Sequence, residues 1–284
     1  MTTLKISNFN FSGGKNPACF ALLFLLMTNW VTASYAQNNN IPNISGVWAN
    51  ALLTPADERW RIVDLACART GCSVTGFNYL QSLLDDKNNK DRSMNELFQD
   101  MRNYEKEQNK NLLTPLGQKK QAEYKPSQGA ALDCTPEGDS LRHQITAPVP
   151  MKIEQMDDRV VISYEYWNAV RTIYLDGRKQ AEGEPATRLG HSTGRYEGLT
   201  LIVETTNIIP NVSGVPGGGA FAPSADTLFV EYYTHNPDSG RLDMELTIID
   251  PVHFRKPYGN QRSYLPEPDW ELDEFVCEAI TGEF

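Results

Sequence analysis

The spacing of hydrophobic positions changes character along the chain. Residues Ala18–Met27 are an almost unbroken apolar run, A-C-F-A-L-L-F-L-L-M. Between residues 55 and 125 apolar positions recur at helical spacing: Leu80, Leu83 and Leu84, then Met94, Leu97, Phe98 and Met101. This predicts two or three amphipathic helices, with Lys87–Arg92 as a solvated turn and Pro115-Leu116-Gly117 as a break. From Met151 onward the period becomes two, as on a strand with one buried face. Val160–Trp167 and Val170–Leu175 each read as a strand, and the Asp176-Gly177 that follows reads as a hairpin turn. Arg195-Tyr196 and Leu199–Thr206 flank Glu197-Gly198, while Thr227–Thr234 and Arg241–Asp250 flank Pro237-Asp238-Ser239-Gly240. Strands joined by short turns, with no helices between them, predict a mainly β fold: an antiparallel meander closing into a lipocalin/calycin-like barrel, with an N-terminal helical segment. Ile44-Ser45-Gly46-Val47-Trp48 predicts a first barrel strand ahead of the helices, its Trp closing one end. Residues 126–150 read as an irregular connector, and Pro216-Gly217-Gly218-Gly219 as a flexible loop.

The first apolar run follows Lys5 and Lys15 with no acid near it, and Ser34-Tyr35-Ala36 comes after it. That is the layout of a secretory signal cut near Ala36. The run is shorter than the ~20 residues a membrane span needs, which argues against the alternative of a retained anchor. The expected organisation is a signal peptide over 1–36, a first strand plus helical segment over 37–125, and the barrel domain over 126–284. The product is then periplasmic or extracellular, with no membrane span in its mature form. Cleavage takes 36 residues and two lysines from a chain of 284 residues and net charge −10, leaving 248 residues at −12. This acidic balance argues against nucleic acid as a partner. Four cysteines remain, Cys67, Cys72, Cys134 and Cys277. In an oxidising compartment an even number suggests two disulfides, with Cys67–Cys72 and Cys134–Cys277 favoured among three connectivities. The zinc alternative has neither a matching second pair nor a His at ligand spacing, so no metal is expected.

Strand alternation sets Leu201 and Val203, Leu228 and Val230, and Leu242, Met244, Leu246 and Ile248 on one face. The opposite face then carries Glu204, Glu231, Asp243 and Glu245, with Glu165 and Arg171 from earlier strands. Two readings stay open. On the first, the acids face solvent and keep the sheet soluble. Or they line a cavity, where facing carboxylates raise one another's pKa and suit acid–base chemistry, with Arg171 as the counter-charge. On the second reading Glu204 or Glu231 is a candidate base and His191 or Tyr164 a candidate acid. Arg171, Arg178, Arg195, Tyr174 and Asp176 are then candidates for ligand contact. Gly190-His191-Ser192-Thr193-Gly194 matches the G-x-S-x-G nucleophile elbow, but it lacks the flanking strand and helix and reads as a bend entering a strand. His235 and His253 fall at turns and read as exposed. No phosphate-loop motif is present, and no cofactor is expected. The reading favoured is a binding module for a small apolar or amphipathic molecule. A cofactor-independent enzyme acting on such a molecule (an isomerase, lyase, cyclase or hydrolase) is the alternative, and a structural envelope protein a third.

Several segments taken together resemble a known family. They are Arg171–Arg178 (R-T-I-Y-L-D-G-R) and Gly190–Thr205 (G-H-S-T-G-R-Y-E-G-L-T-L-I-V-E-T), with the later Leu228–Glu231, Asp250-Pro251, the Cys134-x-Pro-x-Gly motif and Cys277-Glu278. They are similar to a family of uncharacterised exported bacterial proteins with a lipocalin-like β fold. The resemblance covers about residues 130–280 and implies a fold and a compartment, but no shared reaction. Tyr196 stands for the family's usual Trp, Leu199 for its Asp, and Gln180 where a His often follows D-G-R.

Overall fold

The structure, a computed structural model, describes residues 41–50, 74–125, 141–147, 149–209, 213–214 and 220–278. The expected signal peptide, Cys67, Cys72, Cys134 and the Pro216–Gly219 loop lie outside them. Four helices are described: α1 (Val74–Asp85), α2 (Met94–Gln108), α3 (Pro115–Glu123) and α4 (Leu141–Thr146). The strands are β1 (Gly46–Asn50), β2 (Met151–Gln155), β3 (Arg159–Tyr164), β4 (Val170–Tyr174), β5 (His191–Glu197), β6 (Thr200–Thr206), β7 (Ser213–Gly214), β8 (Ala220–Phe221), β9 (Leu228–Asn236), β10 (Arg241–Ile249) and β11 (Tyr258–Pro266). Nine of them form a closed barrel in the order β1-β11-β10-β9-β6-β5-β4-β3-β2, while β7 and β8 pair as a separate ribbon.

This is the mainly β, lipocalin-like barrel that the period-two pattern predicts. β1 closes it by pairing with β2 on one side and β11 on the other. Trp48 of β1 is buried and donates from Nε1 to Ile44 O at 2.8 Å. The lumen is packed with side chains, among them Ile153, Ile162, Ile173, Leu201, Val203, Phe229, Leu246 and Ile248. Leu141 and Ile145 of α4 join the same core. The connector read as irregular therefore contains a short helix.

Every neighbouring pair in the barrel is antiparallel except β4 and β5, which run parallel over Ile173–Ser192 and Tyr174–Thr193. The expected hairpin at Asp176-Gly177 does not form. A two-residue turn makes a hairpin only if the chain beyond it can alternate and pair. Residues 178–190 are polar and include Pro185, so the first segment able to pair is β5. The tight turn comes one connection earlier, where Trp167 and Asn168 between β3 and β4 both adopt positive φ. The other two expected hairpins form, β5–β6 around Gly198 and β9–β10 around Gly240.

The helical segment packs as its stripe predicts. Leu80, Leu97 and Met101 form a second cluster flanked by Phe77, Leu84, Met94 and Phe98. Ser93 and Glu96 cap α2 reciprocally. Pro115 begins α3 instead of merely breaking a run, with Thr114 as its N-cap. Among the described residues no helix is long and apolar enough to cross a membrane. Cys277, the one cysteine among them, is not a free thiol.

Asp250 ties the loops after β8 and β10 together. Its carboxylate accepts from Ser224 N and Oγ at 3.0 and 2.8 Å, and from Val252 N and His253 N at 3.1 and 3.2 Å. His253 Nδ1 lies 3.0 Å from Oδ2, and His253 is buried by this contact, contrary to its expected exposure. Burial works to raise the Asp250 pKa, but the Ser224 donors and His253 outweigh it and hold it below the usual carboxylate value. A carboxylate depressed in the fold stabilises above its unfolded pKa, and that stability fades as pH falls through the folded value. In urea unfolding at neutral pH, Asp250→Asn should cost about 1–3 kcal/mol. The gap to the wild type should shrink below about pH 4.

Candidate functional site

The centre of the lumen is polar. Arg171 on β4 points inward, directly opposite Ile162, and Glu231 on β9 is opposite Leu246 and Val203. Both side chains are at most 1% exposed. Arg171 Nη1 and Nη2 donate to Glu231 Oε2 and Oε1 at 2.8 and 2.7 Å. Arg171 Nε donates to Ser192 Oγ at 2.9 Å, and Nη2 also donates to Thr205 Oγ1. Tyr233 Oη donates to Glu231 Oε2 at 2.8 Å, and the Ser192 and Thr205 hydroxyls are 3.0 Å apart. Burial opposes the Arg171 charge, but the Glu231 carboxylate outweighs it, so the guanidinium is held above its ordinary range. Burial, reinforced by the Glu231 charge, pushes Tyr233 well above a normal phenol. Tyr164, beside them, is also raised, first by burial.

The acidic ladder is therefore split between two faces. On β9 the inward set is Phe229, Glu231 and Tyr233, so the expected placement of Leu228 and Val230 with the apolar face is wrong. Both alternating sets on β9 hold apolar residues, and the period alone does not choose between them. Glu204, by contrast, is exposed on the outside and accepts from Arg195 Nη1 at 3.2 Å, while Arg195 Nε donates to Glu197 at 2.9 Å. Glu204, Glu231 and Arg171 do not converge on a shared cavity. Asp243 also lies off the core, accepting from Ser263 Oγ at 2.7 Å. Glu165 accepts from Asp273 N at 3.2 Å and so holds the C-terminal segment. Ser192 of the G-x-S-x-G match is buried in the Arg171 network. It has neither the elbow nor a histidine partner, since His191 Nε2 sits 2.9 Å from Arg178 O.

What opens to solvent is the barrel wall. β4 and β5 share only two residue pairs and splay apart before them, leaving a cleft of about 510 Å³, within the usual range for small-molecule sites. Val170, Thr172 and Tyr174 form one side, Ala186 to His191 the other, and Ile209, Arg171 and Ser192 complete the lining. The second side is pinned in place. Thr187 N donates to Asn207 O at 3.2 Å, and Ile209 N donates to Thr187 O at 2.8 Å. Gly190 turns there with φ +67°, and a Cβ on it would run into Thr206 O.

Tyr174 gathers the motif residues at the rim. His191, half-buried, stacks on it with centroids 5.5 Å apart, and the Arg178 guanidinium lies 4.5 Å from its ring centre. Arg178 is clasped by Asp176 and Asp158, and it pulls the exposed Asp176 carboxyl down to about 2. Comparisons with protein-family models, curated proteins and solved structures find no match for this chain.

Among the expected site residues, Arg171, Tyr174 and His191 reach the cleft, with Arg178 and Asp176 at its edge. Tyr164 and Glu231 belong to the core, and Glu204 and Arg195 to the outer surface. Among the described residues no group of three or more His, Cys, Asp or Glu could hold a metal. Sequence reasoning missed the cleft residues Thr172, Thr187, Arg188, Leu189 and Ile209. For Thr187, Arg188 and Leu189 the one signal was a polar, Pro-containing stretch too long for a hairpin loop, and Thr172 and Ile209 had none. A buried ion pair that loses one member leaves an unanswered charge. Glu231→Gln should therefore cost about 3–5 kcal/mol in urea unfolding, and the double variant Arg171→Met/Glu231→Leu should recover most of it. A single-variant cost below about 1 kcal/mol contradicts this role.

Proposed function

We propose that the protein is an exported β-barrel that binds a small, mostly apolar molecule in the wall cleft between β4 and β5. The observation that carries this reading is the contrast between a filled lumen and an open wall. Among the described residues the lumen is occupied by apolar side chains and by the Arg171–Glu231 network, whereas the cleft combines apolar walls with hydroxyl groups. Export is supported by the signal-like N-terminus, the even count of mature cysteines and the family resemblance. A Cys134–Cys277 disulfide would anchor the C-terminal segment that Glu165 and Asn168 already hold.

The enzyme reading draws less from the geometry. Glu231 is locked to Arg171, Glu204 is outside, and the cleft lining contains no carboxylate to serve as a base. His191 is the one expected acid–base residue at the cleft. Binding is tested with the apolar fluorophore N-phenyl-1-naphthylamine. Thr172 lies off the core on β4, so Thr172→Trp fills the cleft without entering the lumen. It should weaken fluorophore binding about tenfold or more, and the thermal midpoint should move by no more than about 2 °C. Unchanged affinity in this variant would place the ligand elsewhere.

A further inference from the structure

We propose that Arg188 makes the cleft selective for amphipathic organic acids, its guanidinium taking the ligand's ionised carboxylate. The proposal rests on the cleft reading above and names the class of ligand. Other arginines around the site have their acids in place. Arg171 is answered by Glu231, Arg178 by Asp176 and Asp158, and Arg195 by Glu197 and Glu204. Arg188 differs. Arg188 lines the cleft, its Nε and Nη1 are shut off from solvent and have no hydrogen-bond partner, and a turn of the guanidinium toward the cleft is what brings them to a ligand. Such an arrangement costs desolvation without return, and it is the kind of exception that asks for a missing acceptor.

The cleft supplies no acceptor carboxylate of its own. Its lining includes Arg188, His191 and the already neutralised Arg171, together with Thr172 and Thr187, and not one Asp or Glu. In a chain with 36 acids against 26 bases, an acid-free concavity runs against the average surface. A guanidinium presents paired N–H donors that match a carboxylate, and charge-assisted bonds of this kind are stronger than neutral ones. Val170, Tyr174, Leu189 and Ile209 offer the apolar contact that the ligand's body requires. A neutral ligand would satisfy that wall and leave Arg188 unanswered. The ligand class that meets both demands is a carboxylic acid with an apolar body.

The test compares decanoate with decanol, equal chains that differ only in the head group, by calorimetry at neutral pH. The wild type should bind decanoate about tenfold or more tightly than decanol, the size expected of one charge-assisted contact. Arg188→Gln should bring decanoate down to the decanol level and leave decanol unchanged. Arg188→Lys keeps the charge without the planar donor pair and should fall between the two. The lysine variant also covers the case in which the glutamine variant does not fold. Equal affinities in the wild type, or a decanoate preference that survives in both variants, overturn the role of Arg188 and leave the cleft intact. If neither compound binds, the cleft reading itself fails, and this inference fails with it.

Discussion

A guanidinium in the lumen of a barrel has to be answered, and here Glu231 answers that of Arg171 with two hydrogen bonds. The pair joins β4 to β9, and the hydroxyls of Ser192 on β5 and Thr205 on β6 complete its donors and acceptors. Four consecutive barrel strands are thus tied at one depth. The bonds are directional, so the network fixes which face of β9 turns inward. It also fills the space a lumen ligand would need and occupies the two residues best suited to charge chemistry. The binding site proposed above therefore lies where the wall is incomplete.

The wall is incomplete because of the parallel step between β4 and β5. A parallel connection must return the chain to the starting end before the next strand begins, and residues 175–190 make that return. Part of this return path is pinned to residues 207–209 by Thr187, and Gly190 permits the close approach. The same path brings Leu189 and Arg188 to the cleft and His191 against Tyr174. The D-G-R turn lies at the edge of this cleft, and the G-H-S-T-G bend supplies Gly190 and Ser192 to its lining and His191 to the stack on Tyr174.

The fold was legible wherever the pattern had a single interpretation. Leu242, Met244, Leu246 and Ile248 alternate cleanly with polar residues, and β10 faces as its period requires. Leu80, Leu97 and Met101 likewise form the buried helical stripe. Legibility failed where two physical rules competed. On β9 both faces offered apolar residues, and the pattern left Glu231 facing either solvent or a cavity in which Arg171 answers its charge. Only the partner on β4, distant in sequence, makes the inward placement stable. At Asp176-Gly177 local turn chemistry favoured a hairpin, but the following polar stretch could not form its second strand. The cleft was not legible because it arises from where two strands part, which no local pattern encodes.

The central claim is the position of the ligand, in the wall and not in the lumen. Amide chemical-shift mapping during titration with N-phenyl-1-naphthylamine tests it most directly. The largest shifts should fall on Thr172, Tyr174, Thr187–His191 and Ile209, while lumen residues such as Ile153, Leu246 and Ile248 stay in place. Shifts concentrated on those lumen residues, with the cleft unaffected, would contradict the account.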